Sequence, residues 1–132
     1  VLLDQLSDKL RLSDVFTMHA RAEEAGRKPE CREKFDIATA RAVAHLRELS
    51  EYCLPFVKVG GVFAAMKGYD IEQELSEAKN AIKLLGGEIA DIKKYMLPDS
   101  EGGRRSLVVI KKISPISTIY PRPTAKMAKK PL

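Results

Sequence analysis

Phe35 to Val43 restrict the fold of this chain more than any other stretch. Phe35-Asp36-Ile37-Ala38-Thr39-Ala40 reads as a buried strand, which ends on Arg41 and passes at once into a helix opened by Ala42 and Val43. In an open α/β sheet, the edge where strands stop and helices start is where ligands bind. Arg41 is therefore the first residue to explain.

The same alternation runs through the rest of the chain. Val1-Leu2-Leu3-Asp4 is a short apolar run closed by a carboxylate, the pattern of a buried parallel strand ending at the ligand edge. Gln5 to Leu12 offers a short helix with Leu6 and Leu10 on one face, and Val15 to Ala20 a second strand. Only ten residues separate Asp4 from Val15, the minimum for a parallel crossover, so either the helix is unusually short or residues are missing between Leu10 and Arg11. The opening on Val1, inside an apolar run and without an initiator Met, likewise reads as a partial chain.

Arg21 to Lys34 is polar, contains Gly26 and Pro29, and reads as a helical turn and loop. Beyond the junction, Ala42, Leu46, Leu49, Cys53 and Phe56 recur at helical spacing, and Gly60-Gly61 stops that element. Val62 to Gly68 is another buried strand. Ile71, Leu75, Ala78, Ile82 and Leu85 mark a helix that Gly86-Gly87 would cap. Ile89 to Leu97 and Leu107 to Ile113 then follow one another across the turn-rich Pro98 to Gly103, and should pair as an antiparallel hairpin. Pro115, Pro121, Pro123 and Pro131 exclude regular structure over most of the tail. The expected organisation is one domain, 1–113, followed by a basic, proline-containing tail, 114–132.

Composition narrows the function. No apolar run approaches the length that crosses a bilayer, so no membrane role is expected. Cys31 and Cys53 lack metal-ligand spacing and follow no secretory leader, which points to free thiols in the cytoplasm, with Cys53 in the core and no metal site. The net charge of +5 is unevenly placed: Lys111, Lys112, Arg122, Lys126, Lys129 and Lys130 close the chain without one acidic residue. A basic tail on a near-neutral body is an electrostatic footprint for a polyanion such as RNA, although many such tails are only solvated.

Arg21-Ala22-Glu23-Glu24, Phe35 to Ala42 and Tyr120-Pro121-Arg122 resemble the bacterial small-subunit rRNA guanine-N7 methyltransferases, the glucose-inhibited division protein B family. The likeness continues in order through Leu54-Pro55, Val59-Gly60-Gly61, Lys67-Gly68, Leu84 to Gly87, Leu97-Pro98 and Lys129 to Leu132. It implies a Rossmann-like methyltransferase fold that uses S-adenosylmethionine, with a central parallel sheet and a C-terminal antiparallel hairpin. It also implies 16S ribosomal RNA or the small subunit as partner, and a monomer is expected. The family's Gly-rich cofactor loop is absent from this sequence, the first helix is shorter than the resemblance implies by about three turns, and Ala125 and Met127 stand where the family tail usually has Gly and Pro.

The resemblance assigns cofactor contacts to Asp4, for the ribose hydroxyls, and to Ala22 and Glu23, beside the adenine. It puts Arg41 in the methyl-transfer cleft. Each also has a structural reading. Asp4 could cap the helix that follows it, and Glu23 could be a first-turn helix acid. Arg41 could bind phosphate, stack on a base, hold a carboxylate, or simply pair with Asp36. Lys67 is a candidate RNA contact or a solvated strand end. Arg122, Lys126, Lys129 and Lys130 are candidates for the RNA backbone. Guanine N7 carries a free lone pair and loses no proton on methylation, so Arg41 is expected to position rather than to transfer protons. His19 and His45 are read as structural. The alternative function is a non-catalytic RNA-binding or ribosome-assembly protein on the same fold.

Overall fold

The computed structural model describes residues 2–41, 44–98 and 103–132. Its elements, in chain order, are α1 (Leu2–Lys9), α2 (Ala22–Ala25), β1 (Phe35–Arg41), α3 (Leu46–Cys53), a 3-10 turn (Leu54–Phe56), β2 (Val57–Gly68), α4 (Glu72–Leu84), β3 (Gly87–Met96), β4 (Arg104–Lys112) and α5 (Thr124–Lys129). The strands form one mixed sheet in the order β1-β2-β4-β3. β1 and β2 run parallel, joined by α3, whereas β4 is antiparallel to both β2 and β3.

The expected strand at Phe35 and the expected hairpin both form. β1 is not buried, however: it is the edge of the sheet, and Phe35 and Ile37 are exposed. Ala42 and Val43, where the following helix was expected to open, lie outside the described residues. α3 is capped by His45, whose Nδ1 accepts the Arg47 amide at 3.2 Å.

Gly60-Gly61 does not end an element as expected. β2 begins at Val57 and runs through both glycines in a bulge, with Val57 opposite Phe35 and Val62 already opposite Ile37. A Cβ at Gly61 would stand 2.5 Å from the Asp36 carbonyl oxygen, so the two backbones approach there only because the side chain is absent. Gly86 caps α4 with φ of 81°. A Cβ there would reach within 2.4 Å of the Ser114 carbonyl oxygen, which seats the tail against the helix end.

The core lies on one face of the sheet. Phe63 and Ala65 of β2 and Val108 and Ile110 of β4 are fully buried against Leu46 and Leu49 of α3 and Leu75, Ala78 and Ile82 of α4. Strand alternation puts Val62, Ala64 and Met66, with their partners Val109 and Leu107, on the other face, where they are half-buried or exposed. Cys31 and Cys53 are free thiols. Burial pushes the Cys53 thiol up to about 12, so it packs rather than reacts.

The two N-terminal strands are not formed. Leu2, Leu3, Leu6 and Leu10 share one side of α1 and its C-terminal continuation, and a short apolar run with that spacing is as compatible with a helix as with a strand. Val15 to Ala20 is irregular and exposed. A strand gains its stability from a neighbour's hydrogen bonds, and β2 is the one described strand that pairs with β1.

The tail is packed, not solvated. Ile116, Tyr120 and Met127 are buried, the first two in the main core. Arg27 donates to the carbonyl oxygens of Thr118, Ile119 and Pro121 at 2.7–3.1 Å, and Arg32 to those of Ser117 and Tyr120 at 2.9 and 2.8 Å.

Candidate functional site

β1 and β2 end side by side, with Arg41 opposite Met66. Two residues further along β2, Gly68 lies opposite Arg105, which in turn lies opposite Tyr95, so one row crosses three strands. Residues opposite one another share a face, and these rows put Arg41, Met66, Arg105 and Tyr95 on the same side of the sheet. With Asp70 and Ile71 just before α4 and Glu74 in its first turn, they border a cavity of about 730 Å³ at the ends of β1 and β2. Its volume is that of a small-ligand pocket.

The polar groups around this cavity are of two kinds. Lys67 is buried, its Nζ donating to the Ala44 carbonyl oxygen at 2.8 Å and lying 2.9 Å from Glu74 Oε2. The ammonium thus ties β2 to α4 and to the segment before α3, which corrects the view of Lys67 as a solvated strand end or a free phosphate contact. Arg41, by contrast, is exposed and in no ion pair among the described residues. Asp36, one alternative partner for it, pairs with Lys58.

The hairpin side is aromatic and cationic. Lys94 Nζ and Arg104 Cζ lie 4.4 and 5.4 Å from the centroid of the Tyr69 ring. Lys94 also donates to Glu72 Oε1 at 2.6 Å, which lowers the Glu72 carboxyl and raises the Lys94 ammonium from their ordinary values. His45 Nε2 lies 2.7 Å from Glu77 Oε2, and that hydrogen bond lowers the Glu77 carboxyl. Both histidines stay outside the cleft, His19 in the irregular segment.

The residues expected around a cofactor are not gathered with Arg41. Asp4 lies in the first turn of α1, accepts a hydrogen bond from Thr17 Oγ1 and does not border the cleft, because the strand expected to carry it there is a helix. Ala22 opens α2, and its carbonyl oxygen accepts the Gly26 amide at 2.8 Å. Glu23 Oε1 accepts from Thr124 Oγ1 at 2.8 Å and borders a separate cavity of about 380 Å³ beside Pro121 and Pro123.

Of the four tail cations, Arg122 is committed to the fold. It grips the buried Glu51 carboxylate through Nε and Nη2, at 2.9 Å for the closest pair, and its Nη1 donates to the Lys130 carbonyl oxygen. That corrects its reading as a phosphate contact. Glu51 raises the Arg122 guanidinium above its ordinary value. Lys126, Lys129 and Lys130 remain exposed. Lys112 is fully buried, donating to the carbonyl oxygens of Leu54 and Val57 at 2.9 Å each and lying 3.2 Å from Glu33; burial pushes its ammonium below the ordinary lysine value.

Sequence reasoning did not single out Asp70 or Tyr95, and it took Arg105 as a hairpin tip first and an RNA contact second without placing it in the cleft. The predicted hairpin held the signal, since counting its register from Gly68 leads to Arg105 and Tyr95. Among the described residues no helix is long and apolar enough to cross a membrane, and no cluster of metal-ligating side chains stands together.

Residues 1–107 match the model of the GidB family, described as rRNA small subunit methyltransferase G. A ribosomal RNA small subunit methyltransferase G of Acetivibrio thermocellus is 52% identical over 130 residues, 98% of this chain and 53% of that relative. The protein of the same name from Lactobacillus johnsonii is 48% identical over 98% of this chain and 54% of its own. The chain thus spans about half the length of the curated relatives it matches. Among solved structures, M. jannaschii TYW2 in complex with AdoMet aligns with a TM-score of 0.58 at 18% identity, covering 84% of this chain and 52% of that one. An rRNA methylase from Streptococcus thermophilus aligns with a TM-score of 0.54 at 19% identity, covering 84% and 65%. These likenesses show a Rossmann-like methyltransferase fold.

Proposed function

We propose, from the premise that this chain belongs to the GidB family of rRNA small subunit methyltransferases G, that its gene product transfers a methyl group from S-adenosylmethionine to a guanine N7 of 16S ribosomal RNA. The observation that carries this reading is the match of the family model over residues 1–107, with relatives near 50% identity across nearly the whole chain. The enzyme acts as a monomer in the cytoplasm, on 16S ribosomal RNA or the small subunit. Residues 1–113 form its methyltransferase part, and 114–132 a tail strapped to it.

The residues assigned to the cofactor do not fit around that group as they stand. Asp4 and Glu23 are hydrogen-bonded elsewhere, and only Arg41 of the assigned set borders the cleft. What this chain supplies is the acceptor side. N7 needs no base to remove a proton, so the rate depends on holding the purine in line. Arg41, exposed at the end of β1 and in no ion pair among the described residues, is a cation for an RNA phosphate or the target base. Lys67 holds the cleft's shape. Lys126, Lys129 and Lys130 supply sequence-independent attraction to the RNA backbone.

Incubation of the intact gene product with unmethylated 16S RNA and labelled S-adenosylmethionine is expected to place label on one guanine N7. Absence of label there rejects the reading. The scattered cofactor residues favour one alternative, a non-catalytic assembly protein. Calorimetric binding of S-adenosylhomocysteine to the intact gene product excludes it.

A further inference from the structure

We propose that Asp70 and Tyr95 are the guanine-reading groups of the cleft: the Tyr95 ring stacks on the extruded base, and the Asp70 carboxylate accepts its N1–H and N2–H. This deepens the methyltransferase reading and rests on it. Both residues border the 730 Å³ cavity.

The two tyrosines near the hairpin differ in a way that points to a ligand. Tyr69 has both Lys94 and Arg104 over its ring. Tyr95 is 38% exposed and makes no ring contact among the described residues. A base taken out of its helix loses stacking, and an open aromatic face beside the cleft restores it.

The two carboxylates of the cleft differ in the same way. The charge of Glu74 is matched by Lys67 at 2.9 Å. Asp70 is exposed and accepts no hydrogen bond among the described residues. Lys94 feels the Asp70 charge without bonding to it, so the carboxylate keeps its hydrogen-bonding capacity for a donor from a ligand. Guanine alone among the four RNA bases presents two adjacent N–H donors on its pairing edge that one carboxylate can take together. Adenine and cytosine put an acceptor there, and uracil flanks its single donor with two.

The test uses the intact gene product and a 16S RNA fragment in which the target guanosine is replaced by inosine. Inosine keeps N7 and N1–H but lacks the 2-amino group. The unmodified enzyme should lose about tenfold in kcat/KM on the inosine fragment. Asp70→Asn should lose about thirtyfold on the guanosine fragment and treat the two fragments alike. Tyr95→Ala should raise KM about tenfold, and Tyr95→Phe should restore it. Fluorescence anisotropy of both fragments without cofactor should show the same preference for guanosine. An unmodified protein that binds and methylates both fragments equally overturns the proposal without needing any variant to fold, as does an Asp70→Asn protein that still discriminates. A protein that prefers the guanosine fragment in binding yet methylates neither keeps the base reader and removes the methyltransferase reading.

Discussion

The cleft end of the sheet and the tail end differ in what they do with positive charge. Around the tail, Arg27 and Arg32 donate to carbonyl oxygens of residues 117–121, Lys112 to those of Leu54 and Val57, and Arg122 to the buried Glu51 carboxylate. At the cleft, Lys67 is held in the same manner, but Arg41 stays exposed. A sequence count gives all of these equal weight as contacts for RNA. Their partners separate them, because a cation held by several acceptors of the fold is committed there, whether it is buried like Lys112 or exposed like Arg27.

The contrast is broken most severely at Arg122. Arg122→Met leaves the Glu51 carboxylate buried without its partner, and denaturant unfolding should show a loss of about 3 kcal/mol. Unchanged stability would mean that the tail is not anchored there. Arg41→Ala should do the reverse, leaving the unfolding midpoint in place while methyl transfer drops by about tenfold or more. A variant that methylates normally would remove Arg41 from the cleft's machinery.

Smaller effects sharpen the same division. Replacing Lys126, Lys129 and Lys130 together by Gln should leave stability unchanged and weaken RNA binding, with the slope of affinity against salt reduced by about one for each phosphate no longer neutralised. A slope that does not move would class these lysines with Arg122. Least of all is the Glu77 contact with His45. The Glu77 carboxyl is lowered, so its contribution is present above the ordinary carboxylate range and disappears as pH falls through the lowered value. Wild type should therefore exceed Glu77→Gln in urea resistance at neutral pH and equal it once acid has protonated Glu77; a constant gap would show that the two side chains are uncoupled.

How much of this was legible depends on whether the controlling contact is local. α4 and its Gly86 cap follow from helical spacing over five apolar residues, and the hairpin follows from two apolar runs across a short turn. Leu2 to Asp4 is too short to decide between strand and helix, and a parallel strand needs a neighbour that is distant in sequence. Within the cleft, Arg41, Lys67 and Gly68 could be located because they end strands. Tyr95 and Arg105 needed the register of a sheet whose order is not the chain order. The anchoring of the tail had no sequence signal. An arginine that meets a main-chain carbonyl some 90 residues away leaves no complementary side chain to recognise.

That last feature bears on how the protein can change over generations. Arg27 and Arg32 hold residues 117–121 through peptide oxygens, which every amino acid provides, while Ser117, Thr118 and Ile119 turn their side chains to solvent. Substitutions along those three positions are close to invisible to the clasp, but neither arginine can be exchanged for lysine without losing its multi-pronged geometry. The strap is therefore free to drift in sequence under two residues that are not, and its variability among descendants would say little about how firmly it is held.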